Sequence, residues 1–141
     1  MATNANFPMV SIRSGEVPTG SWQLYRVFNA EPVNAGGEVD SVFSAGAPGL
    51  ELAQFSTFGF YSIVAGATAV VEFKALQSFD NTAANFLIPD TDASINIING
   101  AGSHVNVVTP TPMPFIRFRA SGGAGNGADT LVTAYVFLKT S

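Results

Sequence analysis

Cysteine is absent from the 141-residue chain, and charged residues make up only 11% of it. Without cysteine neither disulfides nor thiolate metal sites are possible, so stability must come from burial and backbone pairing. The charged fraction lies far below the about 25% of an ordinary soluble domain. Small neutral residues must therefore cover the surface, and such a surface favours packing against copies of the chain or a larger partner. A monomer with a neutral polar surface is the alternative.

Basic residues are few, and the net charge is −4. They are scattered over positions Arg13, Arg26, Lys74, Arg117, Arg119 and Lys139. No basic stripe is present to displace counterions from phosphates, so we expect no nucleic-acid partner. No basic segment followed by an apolar run opens the chain, and no apolar stretch reaches about 18 residues, so we expect neither a secretory signal nor a membrane partner. The expected site of synthesis and assembly is the cytoplasm.

The side chains that carry most enzyme chemistry are also scarce. His104 is the sole histidine, and without cysteine there is no His/Cys metal set. Ser103 and His104 are neighbours on a predicted strand, so they point to opposite faces, and no G-x-S-x-G elbow exists. We predict no enzyme, no cofactor and no metal, with His104 a strand or strand-edge residue.

Two motifs resemble ligand loops in part. The stretch "SGGAGNGAD", residues 121–129, fits the G-x-G-x-x-G/A fingerprint of dinucleotide-binding proteins, but the β-branched "TLVTAYVFL" follows it where that site needs a helix. We interpret it as a flexible hairpin loop. The stretch "DTDAS", residues 90–94, begins like a calcium loop, yet Ile95 and Ala101 occupy its key positions. An irregular calcium site using Asp80, Asp90 or Asp92 and solvated loop carboxylates both stay open.

Alternation of apolar and polar residues predicts strands along most of the chain. Trp22, Leu24, Arg26 and Phe28 fall on one face of the first strand of the main domain. Further strands are expected at residues 39–43, 55–64, 68–76, 94–98, 104–108, 115–120 and 130–138. No capped helical stripe is evident, since the candidate "NTAANFL" is short and runs into Pro89. The pattern predicts an all-β fold, a single antiparallel β-sandwich or jelly-roll-like domain.

Residues 1–21 are predicted to form an extended N-terminal arm, and residues 22–141 the β-sandwich domain. The arm has two prolines and two glycines but too few apolar residues for its own core. We predict that it contacts a partner through Phe7, Pro8, Met9, Val10, Ile12 and Arg13. Docking on the same domain is the alternative, because termini are often tied into a sheet.

The C-terminal stretch "PMPFIRFRASGGAGNGADTLVTAYVFLKTS" has a strand of the F-[IL]-R type, a Gly-rich loop and a closing strand that stops near a lysine. It resembles the last hairpin of small all-β virion proteins of tailed bacteriophages. With the small size, low charge and apolar arm, the resemblance implies a capsid decoration (cement) protein that stabilises the shell. It further implies a homo-oligomer, with a trimer favoured, on the capsid surface, bound to the major capsid protein or other virion subunits.

Two alternatives stay open from the sequence. One is a phage tail or fibre component. The other is a carbohydrate-binding or adhesin-like sandwich, in which exposed aromatic rings stack on sugars and their polar groups hydrogen-bond. Trp22, Tyr25, Tyr61 and Tyr135 are the candidates for that role, although packing within strands explains them equally well.

Overall fold

The chain folds into β-strands joined by loops, as seen in a computed structural model. The structure describes residues 3–8, 10–17, 20–42, 49–51, 57–66, 70–82, 85–87, 94–99, 101–108, 114–124, 126 and 130–139. Within these residues there are eleven strands and no α-helix. The strands are β1 Thr3–Pro8, β2 Val10–Val17, β3 Gly20–Pro32, β4 Glu38–Val42, β5 Leu50–Glu51, β6 Thr57–Ala65, β7 Val70–Ser78, β8 Ser94–Asn99, β9 Gly102–Val108, β10 Phe115–Gly122 and β11 Leu131–Lys139.

Two sheets lie face to face. Sheet I has six strands in the order β1-β4-β10-β7-β8, with β5 paired to β10. Sheet II has five strands in the order β2-β3-β11-β6-β9. Every pairing is antiparallel except that of β1 with β4, which is parallel. The predicted all-β fold and antiparallel sandwich are confirmed.

Eight of the strands form four nested antiparallel pairs. From the outermost pair inward these are β3 with β11, β4 with β10, β6 with β9, and β7 with β8. The first and third pairs lie in sheet II, and the second and fourth lie in sheet I. One long hairpin rolled into two sheets has this connectivity, so the sandwich is a jelly roll.

The N-terminal residues add one strand to the edge of each sheet. In β1, Phe7 and Pro8 lie opposite Ser41 and Val42 of β4. In β2, Val10 lies opposite Arg26 and Arg13 opposite Leu24, and the register shifts at Ile12. Met9 lies outside the described residues. The backbones of β1 and β2 therefore pair within their own chain, while the predicted partner contacts of these six residues stay a prediction.

Alternation along the strands explains which residues form the core. On β7 the odd-numbered Val71, Phe73 and Ala75 are buried, while Glu72 and Lys74 are half-buried. Phenylalanine rings from both sheets meet in the centre. Phe60 of sheet II lies 5.2 Å from Phe73 and 5.4 Å from Phe118 of sheet I, measured between ring centroids. Each such ring contributes about 1.5–3 kcal/mol by leaving water.

One strand departs from simple alternation. The register between β3 and β11 shifts on both sides of the pair Ala134 and Phe28. Val27 and Phe28 are consequently both fully buried, whereas Trp22, Leu24 and Arg26 stay on the outer face. The prediction that Phe28 shares their face is wrong, because a β-bulge inserts an extra residue and exchanges the two faces.

The glycine-rich loop after β10 is not a hairpin, contrary to the sequence interpretation. It crosses between sheets, since β10 lies in sheet I and β11 in sheet II. Its described part is packed: the amide of buried Asn126 donates to the Val33 carbonyl at 2.9 Å and accepts from the Val70 N–H at 2.6 Å. Alternation identifies a strand and its buried face, but it does not reveal which strand is its neighbour.

Candidate functional site

The outer face of sheet II exposes a group of large apolar side chains. Tyr61 is 41% exposed, Ile63 38%, Phe137 38% and Val105 69%. They come from the adjacent strands β11, β6 and β9, and those on β6 and β11 occupy positions that alternate with buried residues. A contiguous exposed apolar surface of this kind marks a site of interaction more often than isolated apolar residues do. This face is the candidate functional site.

Strand register places these four side chains side by side in one apolar band, which Tyr135 and Trp22 adjoin. Tyr135 lies opposite Tyr61, which lies opposite Val105. The rings of Tyr61 and Tyr135 are 6.5 Å apart, and those of Trp22 and Phe137 stack at 5.7 Å. These contacts join β3, β11, β6 and β9 across the sheet. Trp22, Tyr61 and Tyr135, three of the four predicted sugar-stacking candidates, thus share one face.

Tyr25 is the candidate that the structure separates from the band. It packs against the core, and its hydroxyl donates to the side-chain oxygen of Gln23. Burial raises the pKa of Tyr25. Its ring is therefore less available for stacking than those of Tyr61 and Tyr135.

The charged side chains on this face are all basic. Arg26 and Lys139 lie beside the band, and neither makes an ion pair within the described residues. The Nε of Arg26 is buried and has no hydrogen-bond partner there. Register places Arg13 of β2 opposite Leu24 of β3. Among the described positions no carboxylate shares this face.

The outer face of sheet I, in contrast, carries paired charges. Asp40 is only 2% exposed and accepts two hydrogen bonds from Arg119, at 2.6 Å from Nε and 3.0 Å from Nη2. Arg117 Nη2 lies 3.3 Å from the same carboxylate. Burial lowers the pKa of Arg117, whereas the hydrogen bonds to Asp40 raise that of Arg119. These ion pairs hold β4 to β10 and are structural.

A loop covers part of sheet I. This covering segment comprises residues 79–82 and 85–87, between β7 and β8. Its buried Phe86 ring lies 4.9 Å from the Arg117 guanidinium carbon, and the Leu87 backbone pairs with that of Gln77. Phe79 and Leu87 themselves are exposed, at 66% and 69%. The segment therefore carries two exposed apolar side chains near the end of β7.

The Asp80 carboxylate stabilises the covering segment through hydrogen bonds. Among the described residues it does not belong to a group of side chains that could hold a metal ion. Its Oδ1 accepts from the Ser78 hydroxyl at 3.0 Å and the Thr82 N–H at 3.1 Å, and its Oδ2 accepts from the Asn85 amide at 2.8 Å. Desolvation raises the pKa of Asp80, but the hydrogen bonds together outweigh it, so the pKa of this carboxyl is lowered overall. The other two calcium candidates, Asp90 and Asp92, lie outside the described residues. Where the chain is described, no three His, Asp or Glu side chains are grouped to hold a metal ion.

The remaining motif residues fall in structural positions. His104 lies exposed on β9, the edge strand of sheet II, as predicted. Gly122 and Gly123 contact Asn34 and Val70 and line no open cradle for a phosphate. No helix among the described ranges is long and apolar enough to cross a membrane.

Sequence reasoning missed Asp40, Phe79 and Leu87. Asp40 had a detectable signal, because it alternates with Val39 and Ser41 on a short strand and so shares a face with Glu38. Phe79 and Leu87 had none, since their exposure depends on how the covering segment folds onto sheet I. The strand order also places β10 next to β7, with Arg119 opposite Lys74, and the sequence alone does not show this.

Comparison with known proteins yields distant similarities to solved structures. No protein-family model and no curated protein matches the chain. It is similar to a chain in the structure of infectious bursal disease virus Gx strain, with 12% identity over 84% of this chain and 32% of that chain, at a TM-score of 0.35. The capsular polysaccharide assembling protein CapF from Staphylococcus aureus matches in two structures. One has 10% identity over 95% of this chain and 31% of that chain, at a TM-score of 0.24, and the other 14% over 96% and 29%, at 0.20.

The chain spans about a third of the length of each of these structures. At TM-scores this low the similarities establish no shared fold and carry no functional argument.

Proposed function

We propose that this protein is a structural component of a virion, most specifically a capsid decoration protein, and that the outer face of sheet II is its assembly contact. The observation that carries the proposal is the exposed apolar band formed by Tyr61, Ile63, Val105 and Phe137. Removing such a band from water costs little free energy because it contains few charged groups. The proposed role is structural and not enzymatic, and it requires no cofactor.

Burial of the band against a partner contributes favourably to the free energy of association. Burying apolar surface stabilises a complex by roughly 25 cal/mol per Å², but association costs several kcal/mol of lost freedom. One face on one small domain therefore gives modest affinity. In a repeating shell each copy makes several linked contacts, and the effective concentration of the later ones raises the overall affinity.

The virion assignment is supported by the C-terminal resemblance, the absence of cysteine and the low charge. The jelly roll is compatible with it but does not select it, because viral capsid domains, lectins and cupins all use this architecture. On this proposal the partners are the major capsid protein and neighbouring virion subunits, at the capsid surface after assembly in the host cytoplasm.

Substitution of the apolar band tests the proposal. The double variant Ile63→Ser with Phe137→Ser is compared with the control Glu72→Gln with Lys74→Gln, which alters only sheet I. We expect the band variant to coat capsids assembled without this chain at least tenfold more weakly, a loss of about 1.4 kcal/mol. Co-sedimentation measures the coating, and circular dichroism verifies the fold. Unchanged coating by the folded band variant would refute the proposed contact.

A carbohydrate-binding module is the second candidate, favoured by one specific observation. Tyr61 and Tyr135 place two neighbouring rings on an exposed face, and ring faces flanked by polar groups suit sugar stacking. Saturable binding on a glycan array that Tyr61→Ala abolishes would favour this class. A blank array alongside intact capsid coating would eliminate it.

A further inference from the structure

Asn126 is a buried polar residue in the glycine-rich crossover between β10 and β11, with 8% of its surface exposed. Its Nδ2 donates to the Val33 carbonyl oxygen at 2.9 Å, and its Oδ1 accepts from the Val70 N–H at 2.6 Å. Val33 directly follows β3 of sheet II, and Val70 begins β7 of sheet I. One side-chain amide therefore joins the crossover to elements of both sheets.

Gly127 follows Asn126 in the sequence, and an Asn–Gly dipeptide can deamidate without a catalyst. The Gly127 backbone nitrogen loses its proton to hydroxide and attacks Asn126 Cγ, and the new C–N bond closes a succinimide ring. The side-chain nitrogen takes a proton from water and leaves as ammonia. Water then adds to either imide carbonyl and opens the ring to aspartate or isoaspartate. Glycine favours the attack because it has no Cβ to hinder the approach of its nitrogen.

The native contacts of Asn126 oppose this reaction. The attack makes Cγ tetrahedral and expels the nitrogen that donates to Val33, so the planar amide that forms both hydrogen bonds is lost. Because the residue is buried, water has little access to replace these bonds, and a buried group left without its hydrogen bond is destabilised. The folded state therefore raises the barrier to ring formation.

The product of the reaction does not fit the site that the amide occupies. An ionised carboxylate only accepts hydrogen bonds, so an oxygen would replace Nδ2 against the Val33 carbonyl oxygen. Two acceptors in this position repel each other, and burying a charge is unfavourable. Isoaspartate in addition inserts a carbon atom into the main chain. A chain converted at Asn126 therefore cannot restore the native contacts of the crossover.

We infer that Asn126 is a deamidation site that the native fold protects, and that its conversion prevents the crossover from regaining its native contacts. This inference is independent of the proposed role in a virion. The reaction marks chains in which the crossover has lost its native packing, and the loss of ammonia makes the mark permanent.

Mass spectrometry of the full-length protein tests the protection. The protein is incubated at mildly alkaline pH in buffer and in denaturant, then digested with an acid protease, because acid suppresses further ring formation. Asn99–Gly100 is the other Asn–Gly dipeptide of the chain and serves as the reference in denaturant. We expect both dipeptides to convert at similar rates there. In buffer we expect Asn126 to convert at least about tenfold more slowly, the factor that corresponds to about 1.4 kcal/mol for one hydrogen bond.

Three substitutions extend the test. A Cβ at Gly122 would lie 2.9 Å from Asn126 Nδ2, so we expect folded Gly122→Ala to deamidate faster at Asn126 than the wild type. Gly102→Ala is the matched control, because its added Cβ lies near the His104 side chain instead, and its rate at Asn126 is expected to equal that of the wild type. Asn126→Asp is the direct product, and we expect it to melt at a lower temperature than the wild type or not to fold.

Other outcomes overturn the inference. Equal rates at Asn126 in buffer and in denaturant would show that the fold gives no protection, and this comparison needs no variant to fold. Equal rates in folded Gly122→Ala and Gly102→Ala would show that the contacts of the Asn126 amide do not control the reaction. An Asn126→Asp protein as stable as the wild type would show that conversion leaves the crossover intact.

Discussion

At the scale of single residues, Asp40 is a buried carboxylate that contacts two arginines. It lies almost fully buried on the outer face of sheet I, because β1, β10 and the arginine side chains surround it. A buried carboxylate is tolerated only with partners, and Arg119 supplies a bidentate hydrogen bond while Arg117 adds a second cation. Removing the carboxylate deprives largely buried Arg117 of that partner, whereas Arg119 keeps Glu38, whose Oε1 lies 3.8 Å from its Nη1.

We expect Asp40→Asn to lower the free energy of unfolding by about 3 kcal/mol, since breaking one partner of a buried ion pair leaves the other uncompensated. Glu72→Gln is the matched control, because Glu72 and Lys74 form a more exposed pair at 3.5 Å. That change is expected to cost under about 1 kcal/mol. Urea denaturation followed by tryptophan fluorescence measures both. Equal losses would contradict the structural role assigned to Asp40.

At the scale of strands and loops, the local sequence pattern predicts where strands lie but not which strands are neighbours. The alternation of Val71, Phe73 and Ala75 predicted both the strand and its buried face, because side chains on a strand alternate strictly. Bulges break that rule without a sequence signal here, as at Val27 and Phe28. Strand partners depend on contacts far apart in the chain. For this reason the crossover after β10 was mistaken for a hairpin.

For the candidate site too, the sequence predicts the residues but not their arrangement. The aromatic residues Trp22, Tyr61 and Tyr135 were identified as candidates from residue type alone. Their assembly on one face required the order β3-β11-β6 and its register, which the sequence does not encode locally. That no carboxylate of the described positions lies on that face likewise follows from the strand register.

The crossover after β10 depends on close backbone contact. A Cβ at Gly122 would overlap the Asn34 carbonyl oxygen, which belongs to the turn between β3 and β4. We expect Gly122→Ala to destabilise the fold by about 1–3 kcal/mol, because overpacking forces backbone shifts. Thermal denaturation measures the loss.

Gly102→Ala serves as the comparison for that substitution. There the nearest atom lies at 3.4 Å and belongs to the side chain of His104. We expect a change between zero and a gain of about 1 kcal/mol from lower entropy of the unfolded chain. A loss at Gly102 as large as that at Gly122 would mean that backbone freedom, and not the contact with Asn34, decides the effect.

At the scale of the whole molecule, charge is divided between the two faces. Sheet I pairs Lys74, Arg117 and Arg119 with carboxylates, whereas sheet II leaves Arg26 and Lys139 without them in the part of the chain described. The paired face contributes to stability, and the unpaired apolar face stays open to a partner. On the proposed function, assembly depends on sheet II while these ion pairs lie in sheet I, so we expect each property to be alterable without the other.

Removal of residues 1–14 tests whether the N-terminal strands contribute to stability, to partner binding or to both. The deletion takes away β1 and the first half of β2, each at a sheet edge, and leaves the four nested strand pairs of the jelly roll complete. We expect a cooperative β fold to persist, with some loss of stability, because each removed strand pairs along only one side. We also expect weaker coating of capsids, since the predicted partner contacts at Phe7 to Arg13 are lost and multivalent binding falls steeply with each missing contact. Circular dichroism and co-sedimentation measure the two effects on the same sample. A truncated protein that is folded and coats capsids with unchanged affinity would contradict a partner role for these residues and leave the sheet II band to account for assembly.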